Sequence, residues 1–530
     1  MFETSKILSL KYFKDYDNMF LLHFFLCKAL QKLRRTFMEN VINAVSGLIW
    51  SKALIYLCLG TGVYFSVRTR FLQVRHIKAM VKYLFTGGDS SQGVSSFQAF
   101  AMSVAGRVGT GNIAGVATAI TMGGPGAIFW MWAIAFLGAG SSFVECCLGQ
   151  VYKEEIDGEY RGGPAYYIER AMGQKWYAVI FATATVIGLG IFAPGVQSNS
   201  IAAGVTNAFG LSPYITGAIT TACLAFIVFG GTKNLGKVAE IVVPFMAIAY
   251  IIVALVVLAV NITAVPSMFA LIIKSAFGAQ QAFGGIVGYA VLWGVKRGIY
   301  SNEAGQGTGP QSAAAAEVSH PAIQGLVQAF AVYFDTLFVC SATAFMILAT
   351  GKYNVVNPAG GFLIQNVPGM AMGPASTQAA VGTVLGKFGS PFVSIALFFF
   401  AFTTLMAYYY IAETNLTYLI KNSKNSKIII NMLRIGVLCA TFYGSIKTAE
   451  IAWALGDIAV GTMAWLNVIA ILILGNVGLK VLKDYEAQVK MGRDAETFIF
   501  DPKKLGIKNA DLWYVINERR AKRTKEKEVS

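Results

Sequence analysis

The chain has 530 residues, of which 55% are hydrophobic and only 13% charged, and its mean hydropathy is +0.58. A water-soluble domain carries about 25% charged residues, so this composition excludes a soluble globule and makes the lipid bilayer the chain's solvent. The formal charge of +16 does not point to nucleic acid, because the basic residues sit between apolar runs and near the C-terminus rather than on one patch. Seven Cys without a C-x-x-C pair and three His without paired spacing argue against a zinc site or a disulfide framework.

Residues 1–37 carry Lys6, Lys11, Lys14, Lys28, Lys32, Arg34 and Arg35 around a short apolar stretch, Met19–Leu30, that is too short to span. They read as an N-terminal extension, either a peripheral arm or a mis-called start before Met38. Beyond them, apolar runs of about 20 residues mark membrane helices. Eleven are expected, at 46–66, 98–122, 126–149, 176–203, 213–231, 238–260, 283–302, 323–350, 391–419, 428–446 and 451–479. Connections rich in Lys and Arg alternate with poor ones. The rich set holds Arg68–Lys82, Lys153–Lys175, Lys233 and Lys237, Lys296 and Arg297, and Lys421–Arg434, whereas the other set holds Lys274, Lys352, Lys387 and Lys447. The positive-inside rule puts the first set and the basic tail 480–530 in the cytoplasm of a cell (inner) membrane protein, with the N-terminus outside.

After a first helix and basic loop (38–97), the remaining helices divide into two sets of five, 98–260 and 283–479. An odd number per set inverts one set relative to the other, which is the arithmetic of an inverted repeat. The expected fold class is therefore an all-α membrane protein. The first helix of each set is interrupted by glycine: Gly106, Gly109, Gly111 and Gly115 in one, Gly284, Gly285, Gly288, Gly294 and Gly298 in the other.

A non-helical segment at membrane depth is tolerated only where it is packed in protein or lines a cavity. Gly109, Thr110, Gly111 and Asn112 fall near mid-span. A half-helix starting there offers N–H groups and a positive dipole end to a carboxylate, and the unwound carbonyls suit Na⁺ or an ammonium. Simple packing through Gly111-x-x-x-Gly115 is an equal alternative. Arg107 is an intramembrane charge, costly unless paired or wet; it reads as a structural pair with a carboxylate at the cytoplasmic side ahead of a direct substrate contact. At the end of the second glycine-broken helix, Trp293 and Gly294 could open onto the same cavity. Glu303 there could pair with Arg107 or Arg297 as a gate, or simply sit in a capped turn with loop glycines Gly305, Gly307 and Gly309. Thr403 and Thr404 offer two hydroxyl oxygens to a cation, or bond back to their own helix's carbonyls. Gln197 and Asn199 bond either another helix or a substrate. The carboxylates Glu145, Asp335, Glu413 and Asp457 are expected outside the glycine-broken core, which favours Na⁺ held by neutral oxygens over a titrating group. No Ser-His-Asp set, phosphate loop or dinucleotide fingerprint stands in a soluble setting, so no enzyme is expected. A channel fits poorly with two opposed broken helices.

The stretches RVGTGNIAGVATAI (107–120), GGPGAIFWMW (123–132), ECCLGQVY (145–152), EYRGGPAYYI (159–168), SNEAGQGTGP (301–310) and HPAIQGLVQAF (320–330) together resemble the alanine/glycine:cation symporter family, also called sodium:alanine symporters. The resemblance implies a leucine-transporter-like fold with five-plus-five inverted repeats and one extra N-terminal helix. It implies import of alanine or glycine with Na⁺ as coupling ion and no cofactor; another small neutral amino acid (serine, D-alanine, glutamine) would share every motif. By the same resemblance Gly109, Thr110, Gly111, Asn112, Gln197, Trp293 and Tyr408 line the amino-acid site, and Gly109, Thr403 and Thr404 bind Na⁺. Tyr408 stands where several relatives carry Trp. The sequence is silent on oligomeric state.

Overall fold

The computed structural model describes residues 28, 37, 39–86, 92–230, 232–279, 281–421 and 423–529, with backbone alone at 232–234, 281–283 and 524–529. The extension 1–37 lies outside the described residues save Lys28 and Phe37. The chain divides into two units, residues 1–48 and 49–530. In the first, helical backbone is described over 39–48. The second holds the rest and is built almost wholly of helices.

In chain order the helices of the large unit are α1 (Lys52–Arg68), α2 (Ser96–Arg107), α3 (Val116–Gly123), α4 (Ala127–Val151), α5 (Pro164–Met172), α6 (Lys175–Ile187), α7 (Ala193–Phe209), α8 (Pro213–Val228), α9 (Thr232–Val260) and α10 (Val265–Ala276). They continue with α11 (Val287–Asn302), α12 (Gly309–Ala315), α13 (Pro321–Tyr333), α14 (Ser341–Ala349), α15 (Pro374–Leu385), α16 (Gly389–Ile420), α17 (Ser426–Ser445), α18 (Ala449–Lys490) and α19 (Leu512–Val529). Two small antiparallel hairpins stand among them, β1 (Glu154–Ile156) with β2 (Glu159–Arg161) and β3 (Asn354–Val356) with β4 (Phe362–Gln365). Helix occupies each stretch read as apolar in the sequence. By length and composition, eight helical segments among the described residues suffice to cross a membrane, including Ala127–Val151, Leu235–Val260 and Pro374–Ile420.

The outward faces show what surrounds the protein. On α9, Ile241, Phe245, Ile248, Ile252 and Leu255 recur every three or four residues and are each more than half exposed. Such a stripe would be an aggregation surface in water; in lipid it is ordinary solvent contact. The interior is held by close approaches between helices. Helix α4 packs against α13, α11, α1, α12 and α18. A Cβ at Gly325 of α13 would lie 2.5 Å from the Cys147 sulfur of α4, and one at Gly444 of α17 would lie 2.2 Å from the Gly195 Cα of α7. Without a hydrophobic force between helices in lipid, small residues that admit this proximity carry much of the association.

The basic tail is not free chain. Helix α18 runs to Lys490, and the segment after it buries Phe498, Phe500, Ala510, Trp513 and Ile516. Trp513 Nε1 donates to the Gln150 carbonyl at 3.0 Å, and Arg519 pairs with Glu155 at 2.8 Å. Beneath this strap Lys153 is buried. It donates to the Ala316 carbonyl at 2.9 Å and stands 4.2 Å from the Tyr160 ring centroid. Burial draws its ammonium down to about 7, against roughly 10.4 in an unfolded chain. The unfolded state therefore binds more protons between those values, and stability rises with pH across that window. The melting temperature in detergent is expected to climb between pH 7 and 10. Lys153→Met should remove the climb, and equal slopes in both proteins would exclude Lys153 as its source.

Candidate functional site at the broken helix

Helix α2 stops at Arg107. Val108 leaves helical geometry, at φ −81° and ψ 85°, and the chain resumes through a wide π turn over Gly111–Gly115 into α3. The interruption exposes backbone N–H groups that water cannot reach, so side chains must take them. Asn112 reaches back to accept from the Gly109 N–H at 2.8 Å, in the manner of the residue three places into a helix that caps the first one. The Thr110 N–H donates to Gln197 Oε1 of α7 at 3.0 Å. A Cβ at Gly109 would fall 2.3 Å from the Thr404 hydroxyl oxygen and 3.0 Å from Gln197 Oε1, so only glycine fits that wall.

The sequence places Asp335 away from this core; the structure overturns that reading. A π turn over Phe334–Cys340 joins α13 to α14 and brings the Asp335 carboxylate against the break. Its oxygens accept from Asn112 Nδ2 at 2.6 Å, from the Ser301 hydroxyl at 3.0 Å and from the Thr336 hydroxyl at 2.8 Å. The Cys340 sulfur lies 3.3 Å from Asn112 Nδ2 and 3.2 Å from Ser301 Oγ. Ser301, one residue from the end of α11, sits level with the break: a Cβ at Gly111 would be 3.3 Å from its Cα. Asn112, Thr110, Ser301 and Asp335 are all fully buried.

The two threonines of α16 diverge. Thr404 donates to the Ala105 carbonyl of α2 at 2.9 Å and to its own helix at Phe400. Thr403 bonds back to the Phe399 and Phe400 carbonyls and lies 3.9 Å from the Met246 sulfur. Tyr408 is buried among Gln197, Tyr300 and Glu303. Trp293 faces elsewhere, under Lys296 and Arg297 with charge-to-centroid distances of 5.2 and 5.3 Å. Asn199 takes the helix-binding option, donating to the Gly444 and Lys447 carbonyls.

On the Gly115 side of the break stands a charge cluster. Arg297 grips Asp457 of α18 through two bonds of 3.0 and 3.1 Å, Lys296 adds a third contact at 2.7 Å, and the guanidinium lies 4.4 Å from the Trp453 ring centroid. Two sequence readings fail here. Lys296 and Arg297 are not in a basic loop, because α11 continues past them to Asn302, and Arg297 is committed to Asp457 rather than to Glu303. On the other side Glu303 sits in the left-handed conformation at φ 57°, ending α11 in a capped turn. It accepts from the Thr308 hydroxyl at 2.8 Å. Arg107 donates to the Gln328 carbonyl at 3.0 Å and to Ser142 at 3.4 Å rather than to a carboxylate. Glu145 locks the glycine turn, accepting from the Gly305 and Gly307 N–H groups at 3.1 and 3.2 Å and from Asn467 at 2.7 Å.

A buried, glycine-walled helix break enclosed by charged clusters, in a bundle with lipid-facing stripes, defines a multi-pass membrane transporter. The family model described as the sodium:alanine symporter family matches residues 35–499. The carrier protein YrbD of Bacillus subtilis is 59% identical over 476 residues, 90% of this chain and 98% of its own. The sodium/proton-dependent alanine carrier protein of Bacillus sp. (strain PS3) is 51% identical, covering 82% of this chain and 97% of its own. The sodium/alanine symporter AgcS of Methanococcus maripaludis is 36% identical, covering 84% and 97%. The chain belongs to the sodium:alanine symporter family, and is a transporter rather than an enzyme.

Removing one member of a buried ion pair costs about 3–5 kcal/mol, because the partner is left uncompensated. Asp457→Ala, which strands two cations, should lower the melting temperature in detergent by several degrees, with Asp457→Glu close to wild type. An unchanged melting temperature in Asp457→Ala would show that water already reaches the cluster.

Proposed function

We propose that the protein imports alanine or glycine together with Na⁺ by alternating access. In this reading the five-helix sets 98–260 and 283–479 are inverted repeats. The N-terminus lies outside, and the tail and the β1–β2 hairpin face the cytoplasm. The observation that carries it is the pair of N–H groups at Gly109 and Thr110, each held by a side-chain amide oxygen. A carboxylate is the natural replacement for two amide oxygens at the positive end of a half-helix. Asn112 and Gln197 would swing from capping the backbone to touching the amino acid. Tyr300 and Tyr408, bulky and buried beside the break, would leave room for a methyl or hydrogen side chain rather than a large one. Gly109 and Thr404, in contact, would contribute the carbonyl and hydroxyl of a Na⁺ site, with Thr403 joining by a change of rotamer. Inward movement of one positive charge gains about 2.3 kcal/mol per 100 mV.

Asp335, whose oxygens accept from three neighbours as a carboxylate does, supports a cation close by, and it equally gives proton coupling a titratable group. The PS3 relative is named for both ions. Radiolabelled alanine uptake into proteoliposomes, with Na⁺, K⁺ or proton gradients imposed in turn, separates the two: Na⁺-driven accumulation is expected, and accumulation under a proton gradient alone would favour the second reading. Competition by serine, D-alanine, glutamine and glycine identifies the preferred cargo.

Asn112→Ala should abolish uptake with the protein still inserted, since it frees the Gly109 N–H and the Asp335 carboxylate together. Normal uptake by that variant would remove Asn112 from the site. Thr404→Val keeps the shape and loses the hydroxyl; it should raise the Na⁺ concentration for half-maximal uptake by about tenfold, the equivalent of one lost charge-assisted contact. An unaltered Na⁺ dependence would take Thr404 out of the cation site.

A further inference from the structure

Helix α16 continues past Thr404 toward the β1–β2 hairpin, and about 13 Å further along it a second group of buried polar side chains gathers. Arg161 closes β2 with its side chain 7% exposed. One of its nitrogens bonds Glu159 at 3.2 Å, while Nε and Nη1 are buried with no hydrogen-bond partner. The carboxylate that acts on it most strongly is Glu413 of α16. Glu413 is buried, and its Oε2 has no partner. Among the described residues Arg161 is ion-paired with Glu159 and not with Glu413. Gln311 of α12 is fully buried with neither amide atom bonded, and the Thr414 and Thr417 hydroxyls are also unpartnered. The segments that carry these groups adjoin one another. A Cβ at Gly163 would lie 2.8 Å from the Gln311 amide carbon. Tyr410 donates to the Gln311 carbonyl at 3.4 Å, and Tyr166 to the Thr414 carbonyl at 3.3 Å.

Buried polar atoms are almost always hydrogen-bonded, and each one left bare costs about 1–3 kcal/mol. A guanidinium and a carboxylate placed close, each with a bare atom and not joined to each other, form a poor structural salt bridge. They suit a ligand that carries both charges. We propose that Arg161 and Glu413, assisted by Gln311, form a second, transient station for the amino acid between the central site and the cytoplasm. Arg161 receives the carboxylate of the zwitterion and Glu413 its ammonium, and Gln311 bridges toward the central site. The station rests on the carrier reading above and extends it with a release step that has its own residues.

The test compares the two faces of the membrane. Alanine flux is measured in right-side-out and in inside-out membrane vesicles with Na⁺ on both sides. Arg161→Gln should raise the half-saturating alanine concentration for entry from the cytoplasmic face by roughly tenfold or more, as for truncating one partner of a buried charge contact. Entry from the external face should stay within about twofold. Glu413→Gln should shift the same face in the same direction, and Arg161→Lys, which keeps the charge, should fall between. Arg161→Lys and Glu413→Gln carry the comparison if Arg161→Gln does not accumulate in the membrane. Equal shifts on both faces, or none on either, would overturn the station while leaving the central site standing. Wild-type vesicles without alanine flux of either orientation would overturn the carrier reading and the station with it.

Discussion

A broken helix inside a protein in lipid frees backbone groups that have no water to turn to. Here that constraint is met by a short chain of bonds. Gly109 is held by Asn112, Asn112 by Asp335, and Asp335 by Ser301 and Thr336. The links come from α2–α3, α11 and the π turn between α13 and α14, so three elements distant in sequence share one knot. Gln197 of α7 ties in a fourth through Thr110. Remove the carboxylate and the amide that caps the break loses its orientation, and the geometry of the whole centre loosens with it.

Around this knot the packing follows from small side chains. Glycine at 109 and 111 lets α16 and α11 come against bare backbone. The charged clusters on the two sides differ in kind. One is an ion cluster, in which a single carboxylate serves a guanidinium and an ammonium under a tryptophan ring. The other is a carboxylate grasping successive backbone amides of a glycine turn. The first is broken by separating side chains; the second can be undone only by moving backbone.

The apolar runs and the position of the break were legible in the sequence because lipid imposes a length on helices and a glycine cluster marks where helix fails. The divergence of Thr403 and Thr404 was half legible: adjacent residues on a helix point about 100° apart, so one hydroxyl reaches the Ala105 carbonyl of α2 while the other bonds back along α16. Asp335 was missed because its placement depends on a π turn, whose extra residue rotates the following side chains and leaves no mark in hydropathy. The useful signal was present in another form, since a lone carboxylate in a long apolar run has to be accounted for. Lys296 and Arg297 misled for the opposite reason. Counting charges near a helix end assumes that they lie outside the helix, and here the partner that brings them inside, Asp457, is 160 residues away along the chain.

The faces of Gly109 and Gly111 have nothing left to trim. Thr404 and Gln197 stand against the first, and Ser301 and Tyr300 against the second. Two helices therefore meet bare peptide at these points, a spacing that substitution can only widen. A side chain of any size there has to wedge α16 or α11 outward, and the amides that hold Gly109 and Thr110 would be pulled from their partners in the same movement.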